Sequence, residues 1–178
     1  MLQFSFPHFL QPSIQLILMI IETFNCNTMP DDILVRQMCD KDVDRVMKIW
    51  LETNIRAHHF IPESYWRTQY ENVKAMISDA EVYVCEKSEH IIGFIGLYQT
   101  YIVGLFVASD FQSQGIGTLL LHHVKALKPV LQLNVYQKNS KAVEFYRKQG
   151  FVIETESVDD NTGELEFRMR MMSGCVDN

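Results

Sequence analysis

The sequence predicts an α/β domain whose sheet has both antiparallel and parallel parts. Three features carry this. Apolar residues switch repeatedly between a helical and a two-residue period. Three strands follow one another with only short polar links. A polar, glycine-containing loop then joins the last of these strands to a helix. The chain's 178 residues suffice for one domain with a real core. Hydrophobic residues make up 47% and charged residues 21%, the profile of a globular protein rather than a disordered one. Only 8 Gly and 5 Pro occur, which excludes collagen-like and linker-like classes. The formal net charge of -6 argues against binding nucleic acid through a basic face, yet leaves room for a small anion held by backbone amides.

The elements follow in order. Ile33 to Met38 reads as a first strand, with Asp40 as N-cap of the next helix. Val43, Val46, Met47, Trp50 and Leu51 give that helix one apolar face. Asn54 to Ile61 (NIRAHHFI) reads as an irregular, histidine-bearing connection. Pro62 opens a second helix, whose face is Tyr65, Trp66, Tyr70, Val73 and Ile77. Glu81 to Val84 alternates as a half-exposed strand, and Lys87 to His90 is a polar turn. Ile91 to Tyr98 and Tyr101 to Val107 complete an antiparallel meander across Gln99 and Thr100. A polar loop, Ser109 to Gly117, leads to a helix marked by Leu119, Leu120, Val124 and Leu127 and ended by Pro129. Val130 to Val135 is a strand, and Ser140 to Gln149 a helix closed by Gly150. Phe151 to Ser157 and Leu165 to Met172 are the last strands, around the turn Asp159 to Gly163. The order is β-α-α-β-β-β-α-β-α-β-β, one domain over residues 29–178.

Residues 1–28 form an N-terminal extension. No Lys or Arg precedes Arg36, so a positively charged signal-peptide start is missing. The apolar run Ile14 to Ile21 is far shorter than the ~20 residues that span a bilayer. Membrane spanning and secretion are therefore not expected. Three readings of the extension stand open: an added helix, a loosely ordered tail, or upstream sequence translated from a misplaced start. The apolar run could instead pair subunits. Four cysteines, at 26, 39, 85 and 175, show no C-x-x-C spacing. They read as reduced thiols of a cytoplasmic protein.

The segment Gln112 to Gly117 (QSQGIG) follows a strand and opens a helix. The first amides of a helix lack internal partners and carry the positive end of its dipole. Gly115 and Gly117 let an anion approach the backbone closely. Two glycines serving only a tight turn would look the same. The segment lacks the Gly-Lys-Ser/Thr of a P-loop and the first glycine of a dinucleotide fingerprint.

A second motif stands downstream. Asn139, Ala142, Phe145, Tyr146, Gly150 and Phe151 fit N-x-x-A-x-x-F-Y-x-x-x-G-F. Together with V-A-S-D-F-Q-S-Q-G-I-G from Val107 to Gly117, this resembles the GNAT superfamily of acyl-CoA-dependent N-acyltransferases. The likeness covers nearly all of Ile33 to Met172. It implies a mostly antiparallel sheet with helices on both faces and a central strand pair that splays apart, the strands ending near Val107 and Val135. Val135 to Asn139 (VYQKN), Phe145 to Phe151 and the H-x-F-I run ahead of Tyr65 and Trp66 resemble the family's small bacterial protein-acetylating members.

The resemblance also implies a site. Leu105, Phe106 and Val107 would pair their backbone with the pantetheine arm of acetyl-CoA. The amides of Gln112, Ser113, Gln114, Gly115, Ile116 and Gly117, with Thr118 next, would cradle its pyrophosphate. Many members carry Arg or Lys in this loop. Here Gln112 and Gln114 stand instead, so binding would lean on amides and the dipole. Lys138 and Lys141 either add charge or form a solvated face. Asn139 matches a polar residue that contacts the cofactor, and Ala142 belongs to the same motif. Tyr146 matches the general acid that protonates the departing thiolate. Some members place a Glu early on the strand before the loop. By count Tyr101 stands there, and a phenol is no base at neutral pH. The base is left open among His58, His59 and water.

His8, His90, His122 and His123 read as bland surface or packing residues. No two histidines fall with a carboxylate at metal-ligand spacing, so no metal is expected. The implied activity is direct acetyl transfer from acetyl-CoA to a primary amine. No cysteine falls in either motif, which suits direct attack. A protein lysine is the first expectation for the acceptor; a small amine, amino acid or antibiotic is the second. A CoA-binding regulatory module without turnover and an interaction protein on the same fold are the rivals. A homodimer is an expectation carried by the family, and neither nucleic acid nor membrane is an expected partner.

Overall fold

The computed structural model describes residues 32–172. The extension expected over residues 1–28, with His8, Cys26 and Cys175, lies outside the described residues. Seven strands form one sheet: β1 (Ile33–Gln37), β2 (Glu81–Lys87), β3 (His90–Tyr98), β4 (Tyr101–Val107), β5 (Val130–Tyr136), β6 (Val152–Val158) and β7 (Leu165–Met172). Four helices connect them: α1 (Val43–Ala57), α2 (Glu63–Ile77), α3 (Ile116–Leu127) and α4 (Ser140–Lys148). The sheet order is β1-β2-β3-β4-β5-β7-β6. Every neighbouring pair is antiparallel except β4 and β5, which run parallel. The element order and the mixed sheet agree with the sequence reading.

Strand alternation sends side chains to two cores. On one face Ile92, Ile95, Leu131, Leu133 and Met169 pack against Leu120, Leu121 and Val124 of α3 and Val143 and Tyr146 of α4. On the other, Val82, Val84, Ile91 and Phe94 pack against Val46, Met47, Ile49 and Trp50 of α1 and Trp66 and Ile77 of α2. Each such side chain stabilises the fold by roughly 1.5–3 kcal/mol. The tight β2–β3 hairpin places Ser88 and Glu89 at φ 47° and 65°, the left-handed pair that suits strand twist.

Two local expectations are corrected. Asp40 does not cap α1. It opens a short 3-10 turn over Asp40–Asp42, and Asp42 stands at the helix start. Asp42 wins because Arg36 of β1 grips it through two bonds, at 2.6 and 3.0 Å, and the Cys39 N–H donates to it at 2.9 Å. Secondly, α1 does not stop before Asn54; it continues to Ala57. Asn54 is buried, donates from Nδ2 to the Trp50 carbonyl at 2.9 Å, and so spends its polar group inside the helix rather than ending it. Among the described residues Cys39 and Cys85 are both free thiols.

Candidate active site

The parallel pair β4–β5 touches at one rung. Tyr101 faces Gln132, and the Gln132 N–H donates to the Thr100 carbonyl at 3.0 Å. Beyond it the strands part, and the Tyr101 phenol faces the Asn134 backbone of β5. On β4 the Ala108 N–H donates to Ile92 of β3 at 2.8 Å, so alternation turns the backbone edges of Leu105 and Val107 into the gap. The splay implied by the family likeness is present.

At the open end of the gap the chain turns sharply. Ser113 and Gly115 adopt φ 60° and 85°, and Gly115 is the N-cap of α3. No side chain caps the first amides of α3, which leaves them for a ligand or solvent. Gln112 donates from Nε2 to the Val107 carbonyl at 2.9 Å, and Gln114 likewise to Asp110 at 2.8 Å. Both glutamines thus stiffen the loop. A Cβ on Gly117 would sit 3.4 Å from Leu105 Cδ2 and 3.6 Å from Phe145 Cζ. The missing side chain keeps that space open.

Loop, gap and α4 enclose a cavity of about 650 Å³. Leu105, Val107, Gln112, Ser113, Gly115, Gly117, Thr118, Asn139, Ala142 and Tyr146 all line it, so ten of the residues singled out from sequence converge. Three do not line it. The Phe106 ring points to the other face and stacks on Phe94 at 4.9 Å, Ile116 is buried in the core, and Gln114 turns back to Asp110. Their backbones still belong to the strand and loop that form the wall. Thr53, Arg56 and Ala57 of α1 also reach the cavity. The sequence reading puts Arg56 and Ala57 in the irregular connection that starts at Asn54, and singles out none of the three. Their i, i+3, i+4 spacing is the signal that could have found them. Arg56, Lys138 and Lys141 bring positive charge to the rim, with Lys138 paired to Glu164 at 2.7 Å.

Tyr146 sits against Phe145 and Phe151. Burial pushes its phenol well above the ordinary value, and nearby Tyr101 adds to the shift. It holds its proton throughout the neutral range. Asn139 caps α4 by accepting from the Ala142 N–H at 3.3 Å and donates from Nδ2 to His58 Nε2 at 3.2 Å.

The two histidines left open as bases are placed differently. His58 is packed among Phe60, Trp66 and Tyr136, and its Nδ1 meets Asn54 Oδ1 at 3.1 Å. With Asn139 on Nε2, both ring nitrogens are engaged. Burial lowers its pKa to about 4. It clamps α1 to the start of α4 as a neutral ring. His59 is exposed at the cavity mouth. Tyr101 stands at the throat of the splay, its pKa raised by burial. Among the described residues no group of three or more His, Cys, Asp or Glu could hold a metal, and no helix is long and apolar enough to cross a membrane.

A profile of the acetyltransferase (GNAT) domain matches residues 78–153. The peptidyl-lysine N-acetyltransferase YiaC of Escherichia coli strain K12 is 32% identical over 131 residues, 72% of this chain and 90% of that protein. The peptidyl-lysine N-acetyltransferase YjaB of the same organism is 28% identical over 134 residues, 74% of this chain and 90% of that one. The solution structure of apo-form YjaB superposes with a TM-score of 0.70 at 26% identity, over 78% of this chain and 96% of that one. From the motif pair, the splayed strands and this likeness together, the chain belongs to the GNAT acetyltransferase family and is an N-acetyltransferase.

Proposed function

We propose that the protein moves the acetyl group of acetyl-CoA directly to the side-chain amine of a protein lysine. The observation that carries the reading is the single-rung β4–β5 pair, with Tyr146 over the gap and uncapped α3 amides at its mouth. The naming of two relatives as peptidyl-lysine N-acetyltransferases supports lysine as acceptor.

Each group has a task in this reading. The backbone edges of Leu105 and Val107 pair with the pantetheine arm, as a β-strand would. The amides of the Gln112–Thr118 loop hold the pyrophosphate, helped by the α3 dipole. Arg56 and Lys141 supply the charge that the loop itself lacks. Asn139 and Ala142 form the opposite wall. The lysine nitrogen attacks the thioester carbonyl, the C–N bond forms, and the C–S bond breaks. Tyr146 gives its proton to the sulfur as the thiolate leaves.

The test is release of free thiol from acetyl-CoA with lysine peptides, set beside a panel of polyamines, amino acids and aminoglycosides. Mass spectrometry then locates the acetyl group. Peptide-dependent release with acetyl on the lysine Nζ is the expected result. Release with a small amine alone would overturn the lysine acceptor.

A further inference from the structure

Neither β4 (YIVGLFV) nor β5 (VLQLNVY) carries a carboxylate. A carboxylate of β7 does approach β5 two residues past its rung with β4, through Asn134. Leu131, Leu133 and Val135 are buried toward α3 and α4, so Gln132, Asn134 and Tyr136 share the opposite face of β5. Their register partners on β7 are Arg170, Arg168 and Glu166. This face is open to solvent at Asn134, Ser157 and Arg168. It starts where β5 leaves β4, beside Tyr101.

The carboxylates around this face differ in what they are free to do. Asp159 accepts from Tyr136, Thr162 and Asn161. Glu164 is paired with Lys138, and Glu154 with Arg170. Glu156 accepts from Gln137. Glu166 is half-buried, and both of its bonds fall on one oxygen. Asn134 Nδ2 donates to Oε1 at 2.5 Å, and Ser157 Oγ donates to the same atom at 3.0 Å. Its Oε2 takes no bond from a described residue, and no Lys or Arg among them forms an ion pair with it. Asn134 therefore connects two things: its backbone faces the Tyr101 phenol, and its side chain bonds Glu166.

We propose that Glu166 takes the proton from the acceptor ammonium as it reaches the open sheet face beside Tyr101. The proposal rests on the amine-acceptor reading above. The protons balance as follows. The ammonium gives one proton to Glu166, which passes it to water. The neutral nitrogen attacks the thioester carbon. Tyr146 protonates the departing sulfur and recovers a proton from the newly bonded nitrogen, whose third hydrogen stays on the amide. The other titratable or charged groups facing Glu166 are Tyr101 of β4, Tyr136 of β5, Arg168 of β7 and Asp159 of the β6–β7 turn; on β6 its register partner is Ser157.

The experiment compares kcat/KM for the acceptor from pH 6 to pH 10 in the native protein, Glu166→Gln, Glu166→Asp and the surface control Glu144→Gln. Glu144 lies on α4 and, among the described residues, pairs with Lys148. Glutamine keeps an oxygen for Asn134 and Ser157, so melting temperature and acetyl-CoA affinity should match the native protein. At neutral pH Glu166→Gln should lose roughly 100-fold in kcat/KM. The deficit should narrow as pH rises toward the amine pKa of ~10.4, because free amine then arrives unaided. Aspartate should recover part of the rate, and Glu144→Gln all of it. A Glu166→Gln protein with native kcat/KM at neutral pH, or with a deficit of the same size at every pH, would overturn the proposal. If the native protein turns over a small amine and no peptide, the lysine reading fails, and the same pH comparison on that amine still decides the role of Glu166.

Discussion

Asn139 Nδ2 donates to His58 Nε2 across 3.2 Å, joining the end of α1 to the first turn of α4. The bond requires a ring nitrogen without a proton, so the clamp works only while His58 is neutral. Its pKa is lowered to about 4 by burial and by the neighbouring His59. The unfolded chain therefore binds a proton that the folded chain refuses, and stability rises with pH across this window. The stability at stake is present above pH ~6.5 and is lost as pH falls toward 4, by at most about 3 kcal/mol. In thermal melts from pH 7.5 to 4.5, the native protein should lose stability steadily below pH 6.5. The His58→Gln protein, which cannot titrate there, should give a flatter line over the same range. Parallel lines would refute the assignment.

Gly117 offers a way to separate folding from cofactor binding. An alanine Cβ there would lie 3.4 to 3.7 Å from Leu105 and Phe145, an ordinary contact, and would project into the cavity. Gly117→Ala should fold with a native melting temperature and raise KM for acetyl-CoA at least several-fold, because a methyl group fills the space beside the loop amides. Gly115→Ala is the contrasting case. Its φ of 85° is left-handed, where a Cβ costs roughly 1–2 kcal/mol. That variant should lose stability as well as affinity. Calorimetry on both proteins, with and without acetyl-CoA, checks the pair.

Asp42 ties the β1–α1 corner. It is nearly buried, and Arg36 bridges it to Glu86 of β2. The Arg36 guanidinium holds the Asp42 carboxyl well below the usual carboxylate range. Asp42→Ala leaves Arg36 with Glu86 as its one carboxylate partner and removes the partner of the Cys39 N–H. It should cost about 2–4 kcal/mol, less than a fully buried pair because Arg36 is a quarter exposed. Chemical denaturation would register this as a lower midpoint. Asp40→Ala, at the residue the sequence favours as a cap, should change stability far less.

Most of the architecture was legible because it rests on local patterns. The two-residue alternation of Val82 and Val84, the short link Gln99–Thr100, and Gly150 after α4 are written in neighbouring residues. The loop and the second motif located one wall of the cavity. The far wall was not legible, because it depends on how a polar residue is satisfied. Asn54 reads as a break only until its amide is seen bonded to Trp50 and His58. Once it continues the helix, Thr53, Arg56 and Ala57 turn onto the cavity. Glu166 was hidden for a similar reason. Its link to the splay runs through the β5–β7 register and the Asn134 side chain, and neither leaves a mark in sequence spacing.

Tyr146 is the most direct test of the chemistry. Its hydroxyl must keep a proton until the sulfur needs one. Burial and Tyr101 raise its pKa, so this proton is secure at every pH below ~10. The rate of the native enzyme should therefore show no fall on the alkaline side that can be assigned to this phenol below pH 10. Tyr146→Phe removes one oxygen and leaves the ring contacts with Phe145 and Phe151 in place. It should bind acetyl-CoA with native affinity and melt within about 0.5 kcal/mol of the native protein, as substitutions that leave packing intact do. Its kcat should fall tenfold or more with KM for acetyl-CoA unchanged, the mark of a group that acts only as the bond breaks. Steady-state kinetics on the two proteins, with a lysine peptide as acceptor, gives the answer. A variant with native kcat would assign the phenol to packing and leave protonation of the sulfur to water.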